Sequence, residues 1–159
     1  ELIDHAGLLV DISGDNSPKQ QVIGGAIAPL RDFSRLLLEN GLEPVKLGVS
    51  GAWHTRLMTE GVALMRDYLA GVDVAPPRHA VVMNVSGKAE YHPEQIKENL
   101  ARHLTHTVKW RDSIDGWLIH KPDVQFVEIS NKAYLAQMLT DFIGFTPAMS
   151  RHCKTLLSA

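Results

Sequence analysis

A single cysteine, Cys153, occurs in the 159 residues. No intrachain disulfide can form, which suits a reducing, cytoplasmic setting. No apolar run approaches the roughly 20 residues that a membrane span requires. The N-terminal stretch ELIDHAG lacks a charged leader followed by an apolar segment, so no signal peptide is visible there. It also lacks a starting Met and reads like the end of a helix, as though the chain opened in the middle of a fold. No charge of one sign dominates: 16 basic and 18 acidic residues give a formal charge of -2. Binding to nucleic acid through general basicity is therefore excluded. Lys109, Arg111, Lys121 and Lys132 read as solvated surface. Internal repeats and low-complexity segments are absent, as is a Gly-X-Ser-X-Gly elbow that would expose a nucleophilic serine.

What remains is an ordinary globular balance, 45% hydrophobic and 21% charged, in a length that suits about one domain. Leu8 to Ile12 reads as a short strand and Gln21 to Gly25 as its return. The dense turn signal GDNSPKQ (14–20) lies between them. Leu30, Phe33 and Leu37 form a helical stripe that Gly41 stops. Val45, Leu47 and Val49 alternate with Lys46 and Gly48, the period of a half-buried strand. The first fifty residues thus predict β-β-α-β. Relative to a full β-α-β-β-α-β unit, a first strand and most of a first helix are missing upstream.

Beyond residue 50, Thr55 is placed to cap a helix from about Arg56 to Leu69. A strand is expected near Ala80 to Asn84. Pro93 suits the first position of a helix that reaches about His103. A helix over Thr107 to His120, a strand over Val124 to Ile129 and a last helix over Lys132 to Ile143 complete the pattern. This alternation predicts an α/β fold with a partly parallel, layered sheet.

Among the eight histidines, His103 and His106 are spaced to share a helix face, but no Cys or carboxylate accompanies them at a zinc-ligand spacing. No metal site is expected. Ser13-Gly14, Ser50-Gly51 and Ser86-Gly87 read as turns, and Cys153, beside Arg151, His152 and Lys154, as an incidental thiol. His54 follows the small residues Ser50, Gly51 and Ala52 at the mouth of a turn. That place suits proton transfer, although a histidine judged by type alone is more often a surface or packing residue. The residues alone offer a base without a nucleophile.

Taken in order, the motifs resemble those of malonyl-CoA:acyl carrier protein transacylases and the related acyltransferase domains of polyketide synthases. DNSPKQQVIGG resembles the family's Asn-X-Pro-X-Gln-X-Val-Ile-X-Gly stretch. LGVSGAWHTRLM resembles Val-Ser-X-Ala-Phe-His-Ser-X-X-Met, and PPRHAVVMNVSGK resembles Pro-X-X-Pro-Val-X-X-Asn-X-X-Gly. LARHLTHTVKWRDSI resembles Leu-X-X-Gln-Leu-X-X-Pro-Val-X-Trp-X-X-Ser, and FVEIS with AYLAQML resembles Phe-X-Glu-Ile-Gly-Pro and its following helix. The resemblance covers nearly the whole chain but only the family's C-terminal half. The Gly-His-Ser-X-Gly serine, the carboxylate-binding arginine and the oxyanion loop belong to the half upstream.

The resemblance implies an α/β-hydrolase-like fold with an inserted ferredoxin-like subdomain. Residues 1–50 would form most of the insertion, and 51–159 the C-terminal part of the large subdomain. It also implies ping-pong acyl transfer from a coenzyme A thioester, through a serine ester, to the phosphopantetheine of an acyl carrier protein, in polyketide or fatty-acid assembly. No cofactor would be bound. The partners would be the carrier protein and the missing half or flanking synthase domains, with no nucleic acid or membrane. His54 matches the catalytic base, and the backbone carbonyl of His103 matches the group that orients its ring. Trp53, Ala52, Ser50 and Asn16 match the substrate-binding surroundings.

Three departures stand out. His103 replaces the usual Gln or Asn. Trp53 replaces Phe, which predicts a tight pocket for malonyl or smaller groups, unless the ring merely packs. Ser130-Asn131-Lys132 replaces Gly-Pro-Gly. Two other readings compete: an acyl hydrolase of the same fold, and a non-catalytic fragment that docks a carrier protein. The fragment alone is expected to be inactive.

Overall fold

The computed structural model describes residues 2–121 and 123–156. The outer ends of the two expected spans, Glu1 and residues 157–159, lie outside the described residues. Helix α1 (Leu2–Ala6) leads into a hairpin of β1 (Val10–Ser17) and β2 (Gln20–Gly25). β1 extends further than its apolar start indicates, and the turn contracts to Pro18 and Lys19. Pro18 presets the turn dihedral, and the buried Ser17 donates its hydroxyl to Asp141 at 2.7 Å, anchoring the hairpin tip. Two register shifts, between Ile12 and Gly14 and between Asp15 and Ser17, leave Ser13 and Asn16 out of the paired register. Such bulges bend a strand and re-aim its side chains.

Helix α2 (Ile27–Glu39) buries Phe33 against the hairpin side. It stops where the sequence says it should: Asn40 caps it, and Gly41 takes the left-handed φ of +75° that a residue with a Cβ resists. The strand expected over Val45 to Val49 does not form. Residues 43–49 are irregular, and Val45 and Val49 are 83% and 64% exposed. Alternation marks a chain able to cover a sheet, but a strand exists only when a neighbour accepts its ladder, and none of the described strands does.

A single 3-10 turn, Arg56–Met58, precedes α3 (Thr59–Ala70). A hairpin follows, of β3 (Val81–Met83) and β4 (Lys88–Glu90), then α4 (Pro93–Arg102) with Pro93 in its first turn. The segment expected to be helical from Thr107 begins instead as β5 (Val108–Lys109), and the helix α5 runs Trp110–His120. β5 pairs in parallel with β1, Gly14 opposite Val108, which draws Thr107 and Lys109 to the hairpin and delays the helix. β6 (Phe126–Glu128), α6 (Tyr134–Met138), β7 (Ser150–His152) and α7 (Cys153–Leu156) complete the chain. The last expected helix thus breaks after Met138 into a 3-10 turn, Leu139–Asp141.

The fold is α/β, but the described strands form three small sheets instead of one layered sheet: β2-β1-β5, β3-β4 and the parallel pair β6-β7. Strands of two or three residues are too short to build a broad sheet. The principal apolar cluster joins Ile114, Leu139 and Phe142, with Trp110, Leu118, Phe126 and Phe145 around it. Among the described residues, no helix is long and apolar enough to cross a membrane.

Candidate active site

The site is a meeting of two backbone turns. Helix α4 ends at Arg102 with His103 as its cap, and the last carbonyls of a helix have no partner within it. Two carbonyls just past that end turn to the loop that carries His54. Leu104 O accepts the His54 amide at 3.0 Å, and His103 O lies 2.7 Å from His54 Nδ1. A carbonyl only accepts, so Nδ1 carries the hydrogen. In the neutral ring Nε2 is then the unprotonated nitrogen, ready to take a proton. An imidazolium formed there would also sit at the negative end of the α4 dipole.

His54 has φ = +63°, the only positive φ among the described non-glycine residues. That conformation costs roughly 1–3 kcal/mol and persists only when surrounding contacts over-determine it. Thr55, fully buried, supplies one such contact. Its hydroxyl donates to Ala52 O at 2.7 Å and accepts from the Leu57 amide at 3.3 Å. Gly24 supplies the space: a Cβ there would stand 2.5 Å from Thr55 Cγ2. Asp11 supplies the clamp. Its carboxylate accepts the Arg56 amide at 2.9 Å and the guanidinium Nε at 2.8 Å, with a further bond from the terminal guanidinium nitrogen. The Arg56 hydrogen bonds outweigh partial burial and hold the Asp11 carboxyl below the usual carboxylate range.

The rings of His54 and His103 lie against each other, centroids 4.3 Å apart and tilted by 32°. His103 Nε2 is 3.2 Å from Asn84 Nδ2. Burial, then the neighbouring His54 charge, pushes His103 below the usual histidine value. Beside it, Asn84, Asn99, Leu100 and β3 line a shallow groove of about 170 Å³.

The remaining expected site residues are placed more loosely. Ser50 is exposed. Ala52 contributes its carbonyl to Thr55. Trp53 is 46% exposed and lies over Gly51, so it is not a core residue among the described ones. Asn16 occupies the second bulge of β1 and donates to Gln20 across the hairpin at 2.9 Å, roughly 10 Å along the strand from Ser13. His106 is engaged by Arg102 through both ring nitrogens. No metal-holding group of three or more His, Cys, Asp or Glu residues occurs among the described residues. The Ser130-Asn131-Lys132 loop is tied to α7, with Lys154 Nζ donating to Asn131 O at 2.9 Å. Burial pushes Glu128 up, but donation from the Ala136 and Leu135 amides and the Ser130 hydroxyl leaves it below the usual carboxylate value.

Sequence reasoning missed the Asp11–Arg56 clamp, the Leu104 carbonyl and the Asn84 amide. Only Asn84 carried a signal, as the asparagine of the Asn-X-X-Gly turn.

No family model matches the chain. Individual proteins do. The uncharacterized protein YmdE of Escherichia coli is 54% identical over 101 residues, which span 64% of this chain and 94% of YmdE. The polyketide biosynthesis protein PksE of Bacillus subtilis is 32% identical over 96% of this chain and 21% of its own length. The polyketide biosynthesis malonyl CoA-acyl carrier protein transacylase PksC of the same organism is 34% identical over 76% of this chain and 42% of its own. Among solved structures, the acyl-carrier-protein S-malonyltransferase of Burkholderia pseudomallei superposes with a TM-score of 0.85 at 25% identity. The match covers 95% of this chain and 49% of that one. A type II polyketide synthase malonyl-transacylase, solved in complex with its acyl carrier protein, shares the fold with a TM-score of 0.83 over 48% of its chain. The present chain thus spans about half or less of these transacylases. By this homology it belongs to the family of malonyl-CoA:acyl carrier protein transacylases and polyketide synthase acyltransferases.

Proposed function

We propose that this chain is the base-bearing part of an acyltransferase that moves a malonyl-type group from coenzyme A to an acyl carrier protein. One observation carries the reading: His54, in a left-handed conformation, with Nδ1–H committed to the His103 carbonyl at 2.7 Å. A ring fixed in that tautomer offers Nε2 to a hydroxyl nucleophile, and serine needs such a base near neutral pH.

The chemistry balances through this one nitrogen. Nε2 takes the serine proton as Oγ bonds to the acyl carbon. The C–S bond breaks, and the departing thiolate takes the proton back. In the second half-reaction Nε2 takes the pantetheine thiol proton as sulfur attacks the ester, then returns it to serine. The His103 carbonyl orients the ring throughout. The serine, the carboxylate-binding arginine and the oxyanion donors belong to the part of the family fold that this chain does not span. In this reading residues 1–50 belong to the ferredoxin-like small subdomain and 51–159 to the large one. Trp53, Ala52, Ser50 and Asn16 border the acyl and pantetheine path. The carrier protein is the partner, and the coenzyme A thioester is substrate.

The test is transfer of radiolabelled malonyl from coenzyme A to a phosphopantetheinylated carrier protein by the full-length protein that contains this chain. His54→Ala should lower the rate by about 10²–10⁴-fold without altering the melting curve. Unchanged transfer would overturn the assignment, and residues 1–159 alone should transfer nothing. Malonate released to water at the same rate with and without carrier protein would favour the hydrolase reading.

A further inference from the structure

The family places an amide-bearing residue where this chain has His103, so the His54–His103 ring stack poses a problem particular to this protein. Two imidazoles with centroids 4.3 Å apart cannot both carry charge without repulsion. A charge settled on His103 would make the neighbouring His54 a weaker base.

We infer that Asn84 is a positioning residue that holds the His103 ring neutral through its side-chain amide, so that the proton entering the pair goes to His54. Asn84 Nδ2 lies 3.2 Å from His103 Nε2. The amide N–H donates, so Nε2 must present its lone pair and the ring hydrogen resides on Nδ1. Protonating His103 would place N–H against N–H and abolish that bond.

Asn84 is itself fixed. It opens the turn between β3 and β4, and its carbonyl accepts the Lys109 amide at 2.8 Å. From the α4 side, Asn99 and Leu100 border the ring, and from β3 and its turn come Val81, Val82, Met83 and Val85, none of them titratable. The loop side contributes His54, whose charge acts on His103. Among the described residues, no carboxylate acts on His103 to offset a positive charge there. On the other ring the arrangement is opposite: His54 Nδ1–H meets a carbonyl oxygen at 2.7 Å. The two neighbours of the stack thus divide the roles, a donor for His103 and an acceptor for His54.

This inference rests on the base assignment for His54, but its test needs no acyl transfer. The probe is a pH titration of the chain with ¹⁵N-labelled histidine, read by long-range nitrogen–proton correlation, which reports tautomer and charge ring by ring. In the unsubstituted chain His103 should be the Nδ1–H tautomer and remain neutral after His54 has charged. Asn84→Asp replaces the donor with an acceptor. It should move the His103 midpoint upward by roughly one pH unit or more and reverse the order of protonation. His103→Gln should leave the His54 Nδ1–H signal in place, because the bond goes to the main chain. An Nε2–H tautomer at His103 in the unsubstituted chain would overturn the inference, as would His103 charging before or together with His54. An unchanged order in a folded Asn84→Asp protein would do the same. If Asn84→Asp fails to fold, the titration of the unsubstituted chain still decides. Loss of transfer in His54→Ala is a separate readout, so each idea can fail without the other.

Discussion

Asp11 and Arg56, 45 residues apart in sequence, are joined by the backbone amide of Arg56 as well as by its guanidinium. The carboxylate thereby fixes the main chain two residues after His54, where a small rotation would swing the imidazole. Geometry, not charge alone, is what Asp11 provides. A lysine has no planar fork to satisfy both carboxylate oxygens. Arg56→Lys and Arg56→Ala should therefore lower acyl transfer by the full-length protein to a similar extent, by roughly tenfold to a hundredfold, as expected for a misplaced reacting group. The loss should be in kcat, with KM nearly unchanged. A fully active Arg56→Lys protein would show that only charge balance matters.

Gly24 bears on the same loop from the other side. Its missing Cβ is the space that Thr55 Cγ2 occupies, at 2.5 Å from where that Cβ would stand. Gly24→Ala should destabilise the fold by about 1–3 kcal/mol, the usual range for overpacking a tight site. Thr55→Ser removes Cγ2 and keeps the hydroxyl that bonds Ala52 and Leu57. Combined with Gly24→Ala it should recover most of the loss in urea denaturation. Additive effects would mean that the clash is relieved elsewhere.

Local signals were legible in the sequence, and long-range pairings were not. The stripe of α2 with its Gly41 stop, Pro93 at the start of α4 and the Thr55 cap each depend on residues within a turn of one another. The strand expected over Val45 to Val49 failed because its existence depends on a neighbour that the alternation cannot name. β1 ran past its expected end because its pairing with β2 continues to Ser17 opposite Gln20, with β5 alongside at Gly14 and Asp15. At the site, the pairing of His54 with residue 103 came from the motif resemblance, since no spacing rule joins positions 49 apart. Nothing in Trp-His-Thr announces a left-handed φ, which is held by contacts to Leu104, His103, Asp11 and the buried Thr55.

His103 gives the fold a pH dependence with a definite sign. Its folded-state pKa lies below the unfolded value because burial, and then His54, disfavour its charge. The unfolded chain therefore binds the proton more readily. The stability due to this residue is complete above the ordinary histidine pKa, about 6.5, and is lost as pH falls from there toward the lowered folded value. In urea titrations the midpoint should decline across that interval, and His103→Gln should flatten the decline. A steeper decline in His103→Gln would assign the slope to other groups.

Trp53 tests the specificity proposed for the acyl pocket. Trp53 directly precedes the catalytic candidate; its ring lies over Gly51 and is 46% exposed, so truncating it does not hollow the core. Discrimination against one additional methyl group in an apolar site is typically about tenfold to two-hundredfold. Trp53→Ala should therefore raise the methylmalonyl-to-malonyl ratio of kcat/KM in the full-length protein by at least about tenfold, through faster methylmalonyl transfer. Trp53→Phe, which restores the family's usual residue, should change the ratio little, because a phenyl ring still occupies the space. The melting temperature should move little in either variant, since the indole is half open to solvent. If the ratio is the same in all three proteins while the rates fall together, Trp53 supports the loop and does not select the acyl group. The source of selectivity would then lie in the part of the fold that this chain does not span.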